Sequence, residues 1–214
     1  MLSRLRQIFR PDPATRAAEF WRWFAANEQV YRELGSYPEG EIAHSLRVLR
    51  KHLHAYDAHL EPLFGQSPPG RHDLVVSAGG LPEHFPAARA LAAAAPELPG
   101  WDVIALKPPL PEVPAVEVEG RRFDPALVTF AVVQVPDQPG ALAVHVFHEP
   151  YPPEEQDLHT TATFLLLDAL LGERGVAEDV DYVEARPMSE DVPANVLRPL
   201  SALPQVVEAH LAKG

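Results

Sequence analysis

The order of apolar and polar positions in the middle of the chain predicts a strand, a helix and a second strand. Residues 74–76 form an apolar run without polar alternation, which is typical of a strand covered on both faces. Gly79 and Gly80 end this strand, because glycine opens backbone conformations that interrupt regular structure. Apolar residues then recur at helical spacing over 85–95, and residues 101–106 form another apolar run. We therefore expect a right-handed β-α-β crossover with parallel strands.

Two amphipathic helices are predicted ahead of this crossover. Asp12 and Pro13 are a typical helix cap and first helical residue, and an aromatic stripe follows them. A second helix, which begins after Pro38, repeats apolar residues at helical spacing as far as Leu60. Because the link between the helices is short, we expect an antiparallel helical hairpin. Its aromatic face could dock on the sheet or on a second copy of the chain, which would give a homodimer through the N-terminal helices.

The pattern in the second half of the chain predicts an antiparallel meander with further helices. The predicted elements are a hairpin over 116–123, strands over 127–135 and 142–147, a helix over 161–171 closed by Gly172, a strand over 181–185 and a helix over 201–212. This order indicates an α+β, or mixed α/β, fold in which the later helices pack on the sheet. We expect a single domain over 13–214, with 13–64 as a helical-hairpin subregion.

Residues 1–12 form a separate basic, amphipathic segment. Its arginines lie opposite an apolar helical face, a pattern that suits either transient contact with an anionic membrane or partner groove, or packing on its own domain. The segment lacks the continuous apolar region and cleavage site of a signal peptide, and no stretch of the chain is apolar enough for a membrane span. We therefore expect no stable membrane insertion and a cytoplasmic location.

Composition narrows the chemistry that the chain can perform. The 214 residues include no cysteine, which excludes disulfides, thiolate nucleophiles and cysteine zinc sites. Alanine is abundant, arginine outnumbers lysine and there are 24 prolines, a bias typical of a GC-rich bacterial genome.

Charge is concentrated in the second half of the chain. Residues 1–107 hold 12 basic and 12 acidic side chains, whereas residues 108–214 hold 6 basic and 18 acidic side chains and carry the whole formal charge of −12. Such a surface repels nucleic acid backbones, so we expect no nucleic acid partner. It could attract a basic protein partner, or serve only to keep the protein in solution.

The turn after the first crossover strand is a candidate ligand site, because ligands bind beyond the carboxyl ends of parallel strands. Backbone N–H groups around Ser77, Gly79 and Gly80 could bind a phosphate or carboxylate, and His84 and Lys107 are the polar side chains that could assist. The turn lacks the GxGxxG and GxxxxGK[ST] motifs, and Ser77 lacks the first glycine of a nucleophile elbow. The alternative is a turn that is purely structural.

His148, Glu149 and His159 are candidates for a metal or hydrolytic site. They could converge, together with Asp157, if the loop over 150–153 folds back. No HExxH or other metal motif is present. The alternative is a set of exposed loop side chains and one histidine that is hydrogen-bonded at a sheet edge.

Several short motifs resemble those of a bacterial domain family of unknown function. In that family a strand ending in a small-residue–glycine turn leads to a helix, an AP-x-L-x-x-W motif and another strand, and an LD-x-L-x-GE motif follows later. The matching residues are 73–79, Phe85, Leu91, Ala95, Pro96, Leu98, Gly100, Trp101, Lys107, Pro108 and 166–173, with the aromatic run Phe20 to Phe24. The resemblance implies a cytosolic α+β protein and implies no catalytic residue.

Together these observations favour a non-enzymatic interaction or regulatory protein that uses its acidic second half. The alternative is a small-molecule-binding protein or hydrolase with its site at residues 77–80. Enzymatic activity stays an open question, and no cofactor is expected.

Overall fold

The computed structural model describes residues 11–67, 70–189 and 191–213. The predicted amphipathic segment over 1–12 lies outside these residues except for its last two, which precede the first helix. Among the helices in this part of the chain, none combines the length and the hydrophobicity needed to cross a lipid bilayer.

The chain divides into two compact units, Met1–Leu106 (unit 1) and Lys107–Gly214 (unit 2). Each unit combines helices with β-sheet, which confirms the predicted α+β fold class. The expectation of one domain over 13–214 stays a prediction, since compactness does not show which parts of a chain fold together.

Unit 1 begins with the predicted helical hairpin. Helices α1 (Pro13–Arg32) and α2 (Glu39–Tyr56) are joined through a 3-10 turn at Leu34–Ser36. The backbone N–H of Thr15 donates to Asp12 Oδ1 at 3.0 Å, so Asp12 is the N-cap that the sequence predicts. Helix α2 ends earlier than predicted because Asp57 takes an extended conformation.

A three-stranded sheet follows the hairpin. Strands β1 (Glu61–Ser67), β2 (Arg71–Ser77) and β3 (Trp101–Ala105) lie in the order β1-β2-β3, and helix α3 (Phe85–Ala93) connects β2 to β3. Strand β1 is antiparallel to β2, whereas β3 is parallel to it. The predicted β-α-β crossover is therefore confirmed.

Strand β1 forms in a segment whose Pro62, Gly65 and Gly70 predict a loop from the sequence, so that prediction is wrong over Glu61–Ser67. The strand lies at the edge of the sheet, where a proline is tolerated. Gly65 lies opposite Asp73, and a Cβ at position 65 would come within 3.3 Å of the Asp73 carboxylate. Ser67 donates to Asp73 Oδ1 at 2.6 Å and fixes the end of the strand.

The aromatic face of the helical hairpin packs inside unit 1. Phe24 is fully buried and meets Trp101 of β3 edge to face, with 5.3 Å between the ring centroids. Tyr31 stacks on Phe64 of β1 at 5.6 Å. The sequence allows this face to pack either on the sheet of its own chain or on a second copy, and in the structure it packs on its own sheet. The homodimer stays a prediction.

In unit 2 the described residues form a hairpin, a four-stranded sheet and two α-helices. Its strands are β4 (Val116–Val118), β5 (Arg121–Phe123), β6 (Thr129–Val133), β7 (Ala143–His148), β8 (Tyr182–Pro187) and β9 (Arg198–Pro199), and its helices are α4 (Gln156–Glu178) and α5 (Leu203–Leu211). The β4–β5 hairpin turns at Glu119 and Gly120, which both have positive φ, as the tight turns of two-residue hairpins require. The larger sheet has the order β8-β7-β6-β9, and β6 is antiparallel to β7 and β9.

Unit 2 holds a second crossover that the sequence pattern does not reveal. Strand β8 is parallel to β7, and α4 connects the two strands. Each unit thus repeats one chain path, an antiparallel strand pair followed by a strand–helix–strand crossover. The core of unit 2 includes Phe130, Leu142, Leu166, Leu167 and Leu200, which are almost completely buried.

Helix α4 is interrupted at Gly172, where φ is 73° and ψ is 165°. Beside the break, the Lys107 carbonyl accepts the Glu173 N–H at 2.8 Å, and the Lys107 N–H donates to Glu173 Oε2 at 2.9 Å. Lys107 Nζ also pairs with Asp168. A Cβ at position 172 would lie 2.8 Å from Pro109. The first residues of unit 2 therefore occupy the space that a side chain at position 172 would need.

Candidate functional site

The turn after β2 has its own internal structure. Ser77 is buried, and its Oγ accepts the N–H of Gly79 at 3.0 Å. Gly79 and Gly80 have φ values of 63° and 76°, in the left-handed region that favours glycine. A Cβ on either glycine would meet open space, so backbone conformation rather than close packing accounts for the pair.

Two histidines and an aspartate lie at the same end of the unit 1 sheet as this turn, because the β1–β2 register pairs Glu61 with Ser77. Asp57 Oδ2 is 3.2 Å from His84 Nδ1. Asp57 Oδ1 accepts the backbone N–H of His59 at 2.9 Å, and the His59 ring stacks on His84 with 4.1 Å between centroids. The predicted residues Ser77 and His84 thus lie at the same end of the sheet as Asp57. The sequence pattern did not single out Asp57.

The Asp57 carboxylate is set up to hold the His84 ring. Burial acts to raise the pKa of Asp57, but hydrogen bonds from the His59 N–H and from His84 outweigh it, and the pKa is lowered overall. An imidazole whose Nδ1 faces a carboxylate keeps Nε2 on the far side of the ring for proton transfer. Asp57 and His59 are two residues apart, the spacing at which an aspartate side chain accepts a backbone N–H in an Asx turn. This spacing is the one local sequence feature that could have pointed to Asp57.

Lys107, the other predicted assistant of the turn, belongs to unit 2. Its ammonium pairs with Asp168 and its backbone amide binds Glu173, so both of its polar groups are engaged within that unit.

The histidines predicted in unit 2 do come together. His148 ends β7 and His159 lies in the first turns of α4, and their ring centroids are 4.9 Å apart. His148 Nε2 is 2.7 Å from Thr163 Oγ1. Tyr151, in the loop between the two elements, stacks on His159 with 3.6 Å between centroids. The loop therefore folds back as the metal hypothesis requires.

Glu149 does not join the two histidines. Its carboxylate is exposed and lies 3.2 Å from a guanidinium nitrogen of Arg121, which also binds Glu155. Among the residues that the structure places, no group of three histidine, aspartate or glutamate side chains could hold a metal ion. The two histidines thus converge without a third ligand. Asp157 is exposed on the outer side of α4.

His148 and His159 are polar side chains buried in unit 2. Burial lowers the pKa of His148 to about 4, and the neighbouring His159 and Arg121 act in the same direction. Burial also lowers the pKa of His159, whose side chain is completely buried. Neither ring nitrogen of His159 has a hydrogen bond within the described part of the chain, and Nε2 lies 3.6 Å from Glu155 Oε2. Both rings are therefore held neutral near pH 7.

Carboxylates surround the entrance to α4. Glu149, Glu154, Glu155 and Asp157 all lie within the loop that leads into the helix or in its first turn, and we call these four residues the acidic face. Arg121 binds two of them and thereby connects β5 to the loop. Sequence reasoning missed Arg121, because its partners lie about thirty residues further along the chain.

Open clefts occur elsewhere on both units. One of about 290 Å³ lies in unit 1 between the end of α3 and β3, lined by residues such as Leu98 and Trp101. One of about 440 Å³ lies on the unit 2 sheet beside His145 and Tyr182. A third, of about 360 Å³, lies along α5. None of these three clefts is lined by residues 77–80 or by the histidine pair.

Comparisons with protein-family models, with curated proteins and with solved structures found no match to this chain, so the resemblance to a bacterial domain family stays a prediction.

Proposed function

We propose that this protein is a non-enzymatic interaction module that binds a basic protein partner through the acidic surface of unit 2. The distribution of charge supports this function, because residues 107–214 contain 7 basic and 18 acidic side chains. A basic segment would be drawn towards such a surface by long-range attraction before any contact forms.

The observation that carries the proposal is how unit 2 uses its basic side chains. Four of them are engaged in ion pairs inside the unit, namely Lys107, Arg121, Arg174 and Arg186. Many exposed carboxylates have no ion pair within the described residues, namely Glu112, Glu117, Glu119, Asp137, Glu154, Asp157, Asp191 and Glu208. Unit 2 thus presents more negative charge than its own cations neutralise.

Ion pairs hold two carboxylates of the acidic face in place. Arg121 fixes Glu149 and Glu155, while Glu154 and Asp157 stay exposed beside them. Carboxylates near a helix N-terminus are stabilised by the helix dipole, so they can remain charged here without weakening the fold. A face that is already arranged loses little conformational entropy when a partner binds.

Calorimetric titration with a decapeptide of lysine and arginine tests the proposal on the full chain. The double variant Glu154→Gln with Asp157→Asn removes two unpaired carboxylates from the acidic face. The matched control, Asp137→Asn with Glu208→Gln, removes two from the β6–β7 turn and from α5. We expect the first pair to weaken binding at low salt about fivefold and the control pair to have little effect.

Two outcomes would count against the proposal. If the control pair weakened binding as much as the first pair, only net charge would matter and the acidic face would not be a site. If the unmodified protein bound no basic peptide even at low salt, the proposed function would be contradicted.

A second candidate function, hydrolysis or small-molecule binding at residues 77–80, is favoured by the Asp57–His84 pair. A carboxylate that orients an imidazole is part of the arrangement that activates serine nucleophiles, and Ser77 lies at the same end of the sheet as this pair. The Ser77 Oγ accepts a hydrogen bond from Gly79, which leaves its own proton available for donation.

A fluorophosphonate probe, which reacts covalently with activated serines, tests this candidate. Labelling of the unmodified protein that disappears in both Ser77→Ala and His84→Gln would support it. If the unmodified protein is not labelled, or if labelling persists in Ser77→Ala, Ser77 is not an activated nucleophile.

A further inference from the structure

The cleft along α5, which we call the α5 cleft, has an apolar lining. The residues that supply it are Val132, Leu142, Ala202, Val206 and Ala209. Val132 is 47% exposed, although Phe130 and Ala131 of the same strand are buried. The cleft volume of about 360 Å³ lies at the lower end of the range found for small-molecule sites.

Basic side chains line the same cleft. Arg198 on β9, Lys213 just beyond α5 and His210 in its last turn all contribute to its walls. Neither Arg198 nor Lys213 has an ion pair among the residues whose structure is described. They differ in this from the four basic residues of unit 2 that are neutralised by neighbouring carboxylates.

Carboxylates are absent from the part of the lining that the structure describes, although acidic residues greatly outnumber basic ones in unit 2. The helix shows how this comes about. Val206 and Ala209 share one side of α5, and Ala202 just before the helix and Lys213 just after it continue the same spacing of three or four residues along the cleft. Glu208, the one acidic residue of α5, projects from a different side.

We propose that the α5 cleft binds a small amphipathic carboxylate, with its apolar tail on the apolar lining and its carboxylate between Arg198 and Lys213. The arginine guanidinium offers a planar fork that matches a carboxylate, and the lysine ammonium adds a second positive charge. Unit 2 is strongly acidic, so two cations without ion pairs beside an apolar surface favour a ligand that has both a negative charge and an apolar tail. This site is independent of the acidic face and of the protein partner proposed for it.

Titration of the full, isotope-labelled chain with octanoate, followed by NMR of the backbone amides, tests this inference. We expect saturable shifts confined to residues around β9, α5 and the start of β7. Octan-1-ol, which has the same tail without the charge, should bind at least fivefold more weakly. Arg198→Gln and Lys213→Gln should each weaken octanoate binding about threefold to fivefold, within the range of exposed ion pairs, and leave octanol binding unchanged.

The matched control is Arg122→Gln, which removes an exposed cation of β5 that does not line the cleft. It should leave octanoate binding unchanged, and thermal melting of each variant verifies that the fold is intact. The inference is overturned if octanol binds as tightly as octanoate, if Arg122→Gln weakens octanoate as much as Arg198→Gln does, or if the octanoate shifts fail to saturate.

Discussion

Lys107 and Glu173 bind each other through two hydrogen bonds, although 66 residues separate them in the chain. The Lys107 carbonyl accepts the Glu173 N–H, and the Lys107 N–H donates to the Glu173 carboxylate. Glu173 is only 3% exposed. This pair anchors the first residues of unit 2 at the break in α4, and the ligand-binding role suggested for Lys107 stays a prediction.

Removal of the Glu173 carboxylate should destabilise unit 2. Glu173→Ala leaves the partly buried Lys107 N–H without its acceptor, and a loss of about 1–3 kcal/mol in the free energy of unfolding is expected. Glu173→Gln retains an oxygen acceptor and should cost less. Urea unfolding of both variants measures the difference, with the exposed Glu112→Ala as a control that should change little.

Gly172 should be far less tolerant of a side chain than Gly79. Both have positive φ, so alanine at either position incurs backbone strain of roughly 1–3 kcal/mol. At position 172 the Cβ would also lie 2.8 Å from Pro109 and 2.9 Å from the Lys107 carbonyl, whereas at position 79 it would meet open space. We expect Gly172→Ala to lower the melting temperature much more than Gly79→Ala. Equal losses would mean that steric crowding at the break is unimportant.

The histidine pair should make unit 2 sensitive to acid. The pKa of His148 is lowered to about 4 by burial and by the nearby His159 and Arg121, against about 6.5 in an unfolded chain. Between these values the unfolded state binds more protons than the folded state, so stability is present above pH 6.5 and falls as the pH approaches 4. The groups around the rings are Thr163 of α4, Arg121 of β5, Tyr151 and the carboxylates Glu149 and Glu155.

Urea unfolding at pH 7 and pH 4.5 measures this effect. The unmodified protein should lose about 2–3 kcal/mol through His148 alone. His148→Gln should be less stable at pH 7, because the buried hydrogen bond to Thr163 is changed, but should lose less between the two pH values. The exposed His44→Gln should behave like the unmodified protein. An unchanged pH dependence in His148→Gln would show that other groups cause the acid sensitivity.

Local sequence patterns were sufficient for most elements of the fold. The apolar run at 74–76, the glycines after it and the helical repeat before Pro96 predicted the first crossover, because each depends on neighbouring residues. Strand β1 was missed because its pairing with β2 outweighs its glycines and proline. The second crossover was missed because parallel pairing of β7 with β8 is decided by distant residues.

In the candidate sites too, contacts between residues close in the sequence could be predicted, whereas contacts between distant residues could not. His148 and His159 were two of three residues that could converge if the short loop between their elements folded back, and their rings do meet in the structure, without Glu149. The Asp57–His84 contact and the Arg121 ion pairs were not foreseen, because each joins segments about thirty residues apart. The LD-x-L-x-GE and Lys107-Pro108 motifs were noted separately, and only the structure brings them together at Gly172.

The central claim is that unit 2 binds a basic protein segment at the acidic face. The most direct test is NMR of the full, isotope-labelled chain during titration with the lysine- and arginine-rich decapeptide at low salt. The account predicts saturable shifts that concentrate in residues 149–157 and around Arg121, and that diminish as salt is raised. Shifts spread evenly over the acidic residues of unit 2, or centred on another part of the protein, would contradict it.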